Sequence, residues 1–322
     1  MSKNIFSRSH AILAVAIASL VIAGCDYKDL GEVEEVKKDM MNVTLSFKWN
    51  AVDSIPSRMR VAFYPEKYPR GYTFFDVLNR DTVIQVPAGT YNIVAWNKDI
   101  LYARTNGYTS HNTIYATTGP ASPHGNYQIP VVLDSLFPGM QVLDYPDYMV
   151  HGYEMGKEII KEQENRVIIS PDSMVVTVDV KLHGIAGLEY CNSIRGCINN
   201  LAGKRYVSFD NLTEDRVAMM YDANFSSADS TVTAYFWIFG LHPTDTHVSE
   251  HKMVMFFWLK GVKVYIPIDI TKACAAYTNE DKHILIESPD LKIDLKEYIH
   301  QVGGGFDVSV DGWINNDIPM NF

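Results

Sequence analysis

Cysteine is scarce in this chain, with four in 322 residues, and positive charge is in deficit, with 28 Lys and Arg against 38 Asp and Glu. Three cysteines follow Cys25, namely Cys191, Cys197 and Cys274, and an odd three cannot build a full disulfide framework. The acidic balance repels nucleic acid and anionic lipid heads, so neither is an expected partner. Long apolar runs are missing apart from Ala11–Ala23, which is too short for a membrane-spanning helix. The signatures of catalysis are missing as well: there is no Gly-x-Ser-x-Gly elbow, no His-Glu-x-x-His and no Walker loop. Gly303-Gly304-Gly305 precedes a strand pattern and not a helix, so it reads as a flexible link and not a phosphate cradle. No enzyme activity, cofactor or metal is expected.

The short apolar run has another use. Lys3 and Arg8 precede it, and it closes in Leu20-Val21-Ile22-Ala23-Gly24-Cys25, the layout of an export signal. A leucine ahead of Ala-Gly-Cys resembles the bacterial lipobox, and that resemblance implies cleavage before Cys25 and acylation of this cysteine. The alternative is an ordinary cleaved signal with an accidental cysteine. Each buried CH₂ contributes about 0.8 kcal/mol, so two or three acyl chains would hold the mature protein on a membrane. Residues 1–24 then form the signal, and their removal takes away Lys3 and Arg8 to leave 298 residues with a net charge of −12. Residues 25–40 are the lipidated cysteine and a charged tether.

Beyond the tether the hydrophobic period becomes two. Val43, Leu45, Phe47 and Trp49 alternate with Thr44, Ser46 and Lys48. Met59, Val61 and Phe63 repeat the pattern, and Thr82–Val86, Pro-Ala-Gly and Thr90–Trp96 read as a hairpin. Short strands are expected at His111–Ala116, Tyr127–Val132, Tyr148–Tyr153 and Arg166–Ser170, with a helical turn or two in Gly156–Asn165. Pro171-Asp172-Ser173 marks a boundary, after which Val176, Val178, Val180 and Leu182 alternate cleanly. The run Phe256-Phe257-Trp258 reads as a strand buried on both faces, and Asp311-Gly312 as a hairpin turn ahead of Trp313. One stretch has a different period. Leu188, Cys191, Ile194, Ile198 and Leu201 recur at helical spacing, which would hold Cys191 and Cys197 about 9 Å apart and unbridged. The sum is an all-β protein with few short helices, built as two β-sandwiches in tandem, residues 41–171 and 172–322.

Three clusters invite chemistry. His242, His247 and His251 could hold a metal, but their polar surroundings fit an exposed loop better. Asp144 and Asp147 flank Tyr145-Pro146, where aspartate caps backbone N–H groups. Tyr64, Tyr68, Tyr72, Tyr102, Tyr108 and Tyr115 could form a sugar-stacking platform, giving a glycan or host ligand as an alternative partner.

A lipobox followed by Asp26-Tyr-Lys-Asp-Leu30, the strand Val43–Trp49 and Val86-Pro-Ala-Gly-Thr-Tyr-Asn-Ile-Val-Ala-Trp-Asn97 together resemble fimbrillin-like lipoproteins of Bacteroides-type bacteria. So do His183-Gly-Ile-Ala-Gly-Leu188, Ser193-Ile-Arg-Gly196 and Gly304-Gly-Phe with Val310-Asp-Gly-Trp313. The resemblance implies two transthyretin-like sandwiches and an anchor or accessory subunit of a fimbria (type V pilus), held by lipid at the outer membrane, on the cell surface or in the fimbrium. It also implies strand exchange with other fimbrial subunits, in which main-chain bonds provide affinity and alternating side chains specificity. Two segments have the pattern: the first strand, with Val43, Leu45, Phe47 and Trp49, and the tail, with Trp313, Ile318, Met320 and Phe322. Both can equally be native edge strands. In the family an arginine-specific protease frees the first strand of stalk subunits, which makes Arg58 and Arg60 the candidate cleavage site here. Anchors keep the strand.

Overall fold

Alternating sequence becomes strand along most of the chain. The computed structural model describes residues 39–49, 52–67, 71–123, 129–243, 250–278, 280–288, 290–301 and 313–315. Met41–Phe322 makes up one compact unit. Its first strands are β1 (Met40–Phe47), β2 (Arg58–Pro65), β3 (Thr73–Leu78), β4 (Thr82–Pro87), β5 (Gly89–Asn97), β6 (Ala103–Asn106), β7 (Tyr115–Thr118), β8 (Gln141–Asp144), β9 (Val150–Ile159), β10 (Asn165–Ile169) and β11 (Asp172–Ser173). There follow β12 (Val176–Leu182), β13 (Ile185–Ala186), β14 (Cys191–Ala202), β15 (Lys204–Tyr206), β16 (Arg216–Ser226), β17 (Thr231–Ile238), β18 (Lys252–Leu259), β19 (Lys263–Asp269), β20 (His283–Ser288), β21 (Ile293–Asp294) and β22 (Trp313–Asn315). Three short α-helices, Leu133–Leu136, Thr271–Ala275 and Lys296–Gln301, complete the all-β fold among the described residues.

The first half stacks a three-stranded sheet, β10-β1-β4, on a five-stranded one, β11-β9-β5-β2-β3. Val43 and Leu45 face Met59, Val61, Phe63, Ile93 and Val167 in the core between them. The second sheet is buried on its other face too, where Ala62, Tyr64, Val94 and Trp96 join the core of the second half. The hairpin expected at Thr82–Trp96 is present as β4 and β5, and Tyr91 Oη closes it by donating to Pro87 O at 2.8 Å.

In the second half the order is β20-β12-β17-β16-β14-β18-β19-β22. The long β16 turns the corner: Ile194–Ala202 pair with its first part and Thr231–Thr233 with Asn224–Ser226. Val178, Val180, Phe236, Met255, Phe257 and Val264 fill the space so enclosed. Phe256 and Trp258 point the other way, confirming burial on both faces, into a third cluster capped by Val132, Leu133 and Phe137. That cap comes from the first half. Segment 103–144 reaches across, pairing β7 with β15 and running β8 parallel to β16.

Four local expectations are corrected. Leu188–Leu201 is a 3₁₀ turn, Leu188–Tyr190, followed by strand β14. Pairing on both sides and burial on both faces make apolar residues recur without strict alternation, and register shifts at Cys191/Ser193 and Ile198/Leu201 blur it further. Cys197 therefore sits in the outer cluster while Ile194 and Ile198 face the inner core, and all three described cysteines are unbridged. Ile129–Val132 is not strand but leads into the capping helix, and Gly156–Ile159 prolongs β9 instead of coiling. Two of the three clustered histidines are not exposed as expected. His242 and His251 are buried, with Nε2 of His242 against Glu214 O at 2.7 Å, and His247 lies outside the described residues.

Candidate functional site

The two candidate exchange strands are built differently. β1 is the middle strand of its sheet, parallel to β10 with Val43 opposite Asn165 and Leu45 opposite Val167. Val43 and Leu45 are completely buried, while Phe47 and Trp49 pack partly buried at the end, rings 5.9 Å apart. Trp49 Nε1 donates to Asn79 Oδ1 at 2.6 Å. Removing such a strand splits a sheet and opens a core.

Arg58 has an exposed side chain but a fixed backbone. It opens β2 opposite Leu78, its N–H donates to Asp99 Oδ2 at 3.1 Å, and its carbonyl accepts from Lys98 N at 3.0 Å. Arg60 is held more firmly, by two bonds to Asp76 at 2.6 and 2.7 Å, with its guanidinium 5.1 Å from the centre of the Phe74 ring. A protease needs an extended peptide in its cleft, so a cut at either arginine requires the start of β2 to open first.

The tail meets the other end of the molecule. Trp313, Ile314 and Asn315 run parallel to Lys263, Val264 and Tyr265 at the edge of the large sheet. Three residues of parallel pairing make a weak attachment. β19 is a fitting edge, because Pro267 lacks the N–H that a continuing ladder on both sides would use. Val264 faces the inner core and Tyr265 the outer cluster, so a strand laid here borders both. Cys25, Ile318, Met320, Phe322, Gly303–Gly305 and the Asp311-Gly312 turn lie outside the described residues.

The tyrosines are not one platform. Tyr64, Tyr72 and Tyr108 gather with Phe74 and Trp96, where Tyr72 and Phe74 lie 4.6 Å apart and Trp96 stacks on Tyr108 at 6.2 Å. Tyr64 and Trp96 belong to the core, Phe74 and Tyr108 pack partly buried against it and Tyr72 is 42% exposed; burial pushes the Tyr64 phenol above its usual range. Tyr102 instead packs on Tyr145, Tyr115 packs on Tyr206, and Tyr68 is not described. The aspartates cap backbone as expected: Asp147 Oδ2 accepts from the amides of Leu101, Tyr102 and Ala103 at 2.7–2.9 Å, and Asp144 from Ser122.

One polar cluster gave no sequence signal because its members are far apart in the chain. His151 on β9 lies with Nδ1 2.6 Å from Val207 O and Nε2 3.1 Å from Asp210 Oδ1. Arg205 completes it, 2.7 Å from Asp210 and donating to Phe239 O at 2.8 Å. Burial works against the Asp210 carboxylate, but the bond from His151 and the charge of Arg205 outweigh it and hold the group well below the usual carboxylate range. These bonds, centred on Asp210 Oδ1, clamp β9 to the 204–213 hairpin. A polar cleft of about 470 Å³ lies beside Thr117, Gln141 and Lys204, its lysine held by Asp215 at 2.6 Å. Among the described residues no three metal-ligating side chains converge, and no helix is long and apolar enough to cross a membrane.

Comparison with known proteins bears on the same point. The chain is 24% identical to a candidate fimbrium anchoring subunit of Bacteroides ovatus, Fim4B, over 97% of this chain and 98% of that one. A candidate adhesin of Bacteroides ovatus, known from its crystal structure, shares the fold with a TM-score of 0.59 and 20% identity, covering 87% of this chain and 93% of that one. The fimbrial anchor protein Mfa2 of Porphyromonas gingivalis overlays more loosely, with a TM-score of 0.44 and 13% identity over 76% of this chain and 90% of that one. A family model described as a domain of unknown function, DUF5119, matches residues 24–222, more than half of the sequence, and the chain belongs to that family.

Proposed function

We propose that this protein is a non-enzymatic accessory subunit of a fimbria, in the role of anchor, tethered to the outer membrane through lipid on Cys25. The observation that carries the reading is similarity to a fimbrium anchoring subunit over 97% of this chain and 98% of that one. The built-in first strand supports it, since a subunit that ends a filament at the membrane keeps Val43–Trp49 where a polymerising subunit must give up its own. The tail is the donor: Trp313–Asn315 leave the edge of β19, and the segment carrying Trp313, Ile318, Met320 and Phe322 completes a sheet of the neighbouring subunit. Residues 41–171 and 172–322 are the two sandwich domains, the first lending Ala103–Asp144 to the second.

The test is to place the full chain with Cys25→Ser in cells that lack the native copy. Acyl chains account for the whole of the membrane hold in this reading. Fimbrial subunits are therefore expected in the medium, with the altered protein at the base of the shed filaments. Fimbriae that remain attached to cells in normal number would refute the anchor role.

A further inference from the structure

Strand β20 is the open end of the large sheet, and its sequence is self-complementary. It runs parallel to β12, with Thr177 opposite His283 and Leu182 opposite Ser288. Thr177 N–H donates to Lys282 O at 2.9 Å and His183 N–H to Ser288 O at 3.0 Å. In a parallel ladder the residues that bond one neighbour alternate, so Lys282, Ile284, Ile286 and Ser288 turn their backbone groups toward β12. The N–H and C=O groups of His283, Leu285 and Glu287 therefore face the other way, where no strand pairs with them among the described residues.

Several of the usual protections of a sheet edge are missing among the described residues. His283–Ser288 contains no proline, no lysine and no register shift, and Leu285 on its outer face is 43% exposed. Ile284 and Ile286 point inward and are buried. The three outward-facing residues are spaced so that a two-fold axis through Leu285 maps the edge onto itself. Antiparallel pairing about that axis sets Leu285 against Leu285 and His283 against Glu287. These are the residues whose N–H and C=O groups are available, so each opposed pair exchanges both of its bonds. On the outer face imidazole meets carboxylate at both ends and apolar surface covers apolar surface in the middle, and a shift of one residue loses both matches.

We propose that β20 pairs antiparallel with β20 of a second copy of this chain, joining the two large sheets across a two-fold axis at Leu285. An isologous contact of this kind closes on itself and stops at two copies. It is small, so the pair is transient in solution and is strengthened where a membrane concentrates the chains. This inference stands apart from the fimbrial reading and does not use the tail or the first strand.

Directly opposed residues in such a pair have Cα atoms about 5.5 Å apart, within disulfide reach. The full chain with Leu285→Cys, oxidised at about 100 µM, should yield a covalent dimer linked at position 285. Leu285→Lys, which opposes like charges at the axis, should weaken the reversible dimer at least tenfold by sedimentation, with the melting temperature unchanged. Leu285→Cys protein that stays monomeric after oxidation would overturn the proposal. So would a dimer that Leu285→Lys leaves intact, as it would be if another surface, another stretch of this chain or a different partner strand occupied the edge.

Discussion

Leu45→Asp is expected to remove about 5 kcal/mol or more of stability from the first half of the chain. Leu45 is fully buried in the middle strand of β10-β1-β4, opposite Val167 and against Val43, Met59 and Ile93. Truncating such a leucine to alanine costs about 2–5 kcal/mol from lost transfer energy and the cavity left behind. Aspartate adds a carboxylate with no cation in that apolar core, and its protonation or the opening of the sheet adds to the loss. Urea unfolding followed by near-ultraviolet circular dichroism reads the effect, with cleavage by trypsin at Arg58 and Arg60 rising in parallel as β2 loosens. A variant that keeps its midpoint and its resistance would show that β1 is dispensable, which would favour a subunit that gives up its first strand.

Gly196→Ala is the second large effect. Gly196 lies on β14 opposite Tyr221 on β16, and a Cβ placed there would fall 2.0 Å from Tyr221 Cζ and 2.2 Å from its hydroxyl. The ring has nowhere to go. It is completely buried, stacks on Phe236 at 4.0 Å with 12° between planes, and lies with its hydroxyl 2.8 Å from Met253 Sδ and 3.3 Å from Met255 Sδ. Burial, helped by the nearby Cys197, drives the phenol well above its usual range, so it stays neutral and the contact does not depend on pH near neutrality. Overpacking of a rigid core typically costs about 1–3 kcal/mol, and the depth of this overlap puts the cost at the upper end, about 3 kcal/mol, or roughly 6–12 °C in melting temperature. Calorimetry checks it. Combining the change with Tyr221→Leu should recover part of the loss, because the two side chains compete for one space. Equal melting of Gly196→Ala and the native chain would mean that the Tyr221 ring does not cross that glycine.

This pair also explains one of the sequence resemblances. Gly196 in Ser193-Ile-Arg-Gly196 is small because a tyrosine 25 positions later crosses its backbone. In His183-Gly-Ile-Ala-Gly-Leu188, Gly184 adopts φ +75° with Asp290 Oδ1 2.2 Å from where a Cβ would stand. Such punctuation is visible in a sequence, but the partner that requires it is not.

The strands with one buried face were the legible ones. Val43–Phe47, Thr82–Val86 and Val176–Leu182 announce themselves by alternation, and all three are strands. β14 was misread as helix because both of its faces are buried and two register shifts break the period. The crossing of residues 103–144 onto the second half could not be read, since the pairings of Tyr115 with Tyr206 and of Val142 with Ala218 are fixed by tertiary contact and not by any local pattern. His242 and His251 looked exposed for a related reason: a polar sequence conceals burial when its partners are distant. Of the candidate exchange residues, Val43, Leu45 and Phe47 fall in β1 while Trp49 lies beyond its end, and the tail shows only its first three residues against β19.

Deleting residues 313–322 tests the central claim most directly. The full chain and the shortened one would be compared for melting temperature and for the mass of the complexes each forms with fimbrial subunits of the same cell. If the tail is the donor strand, the shortened chain melts within a few degrees of the full one, because the pairing of Trp313–Asn315 on β19 is short, and it forms no complex. If deletion unfolds the second half, and the full chain also leaves fimbrial subunits unbound, the tail is ordinary core and the strand-exchange account is wrong.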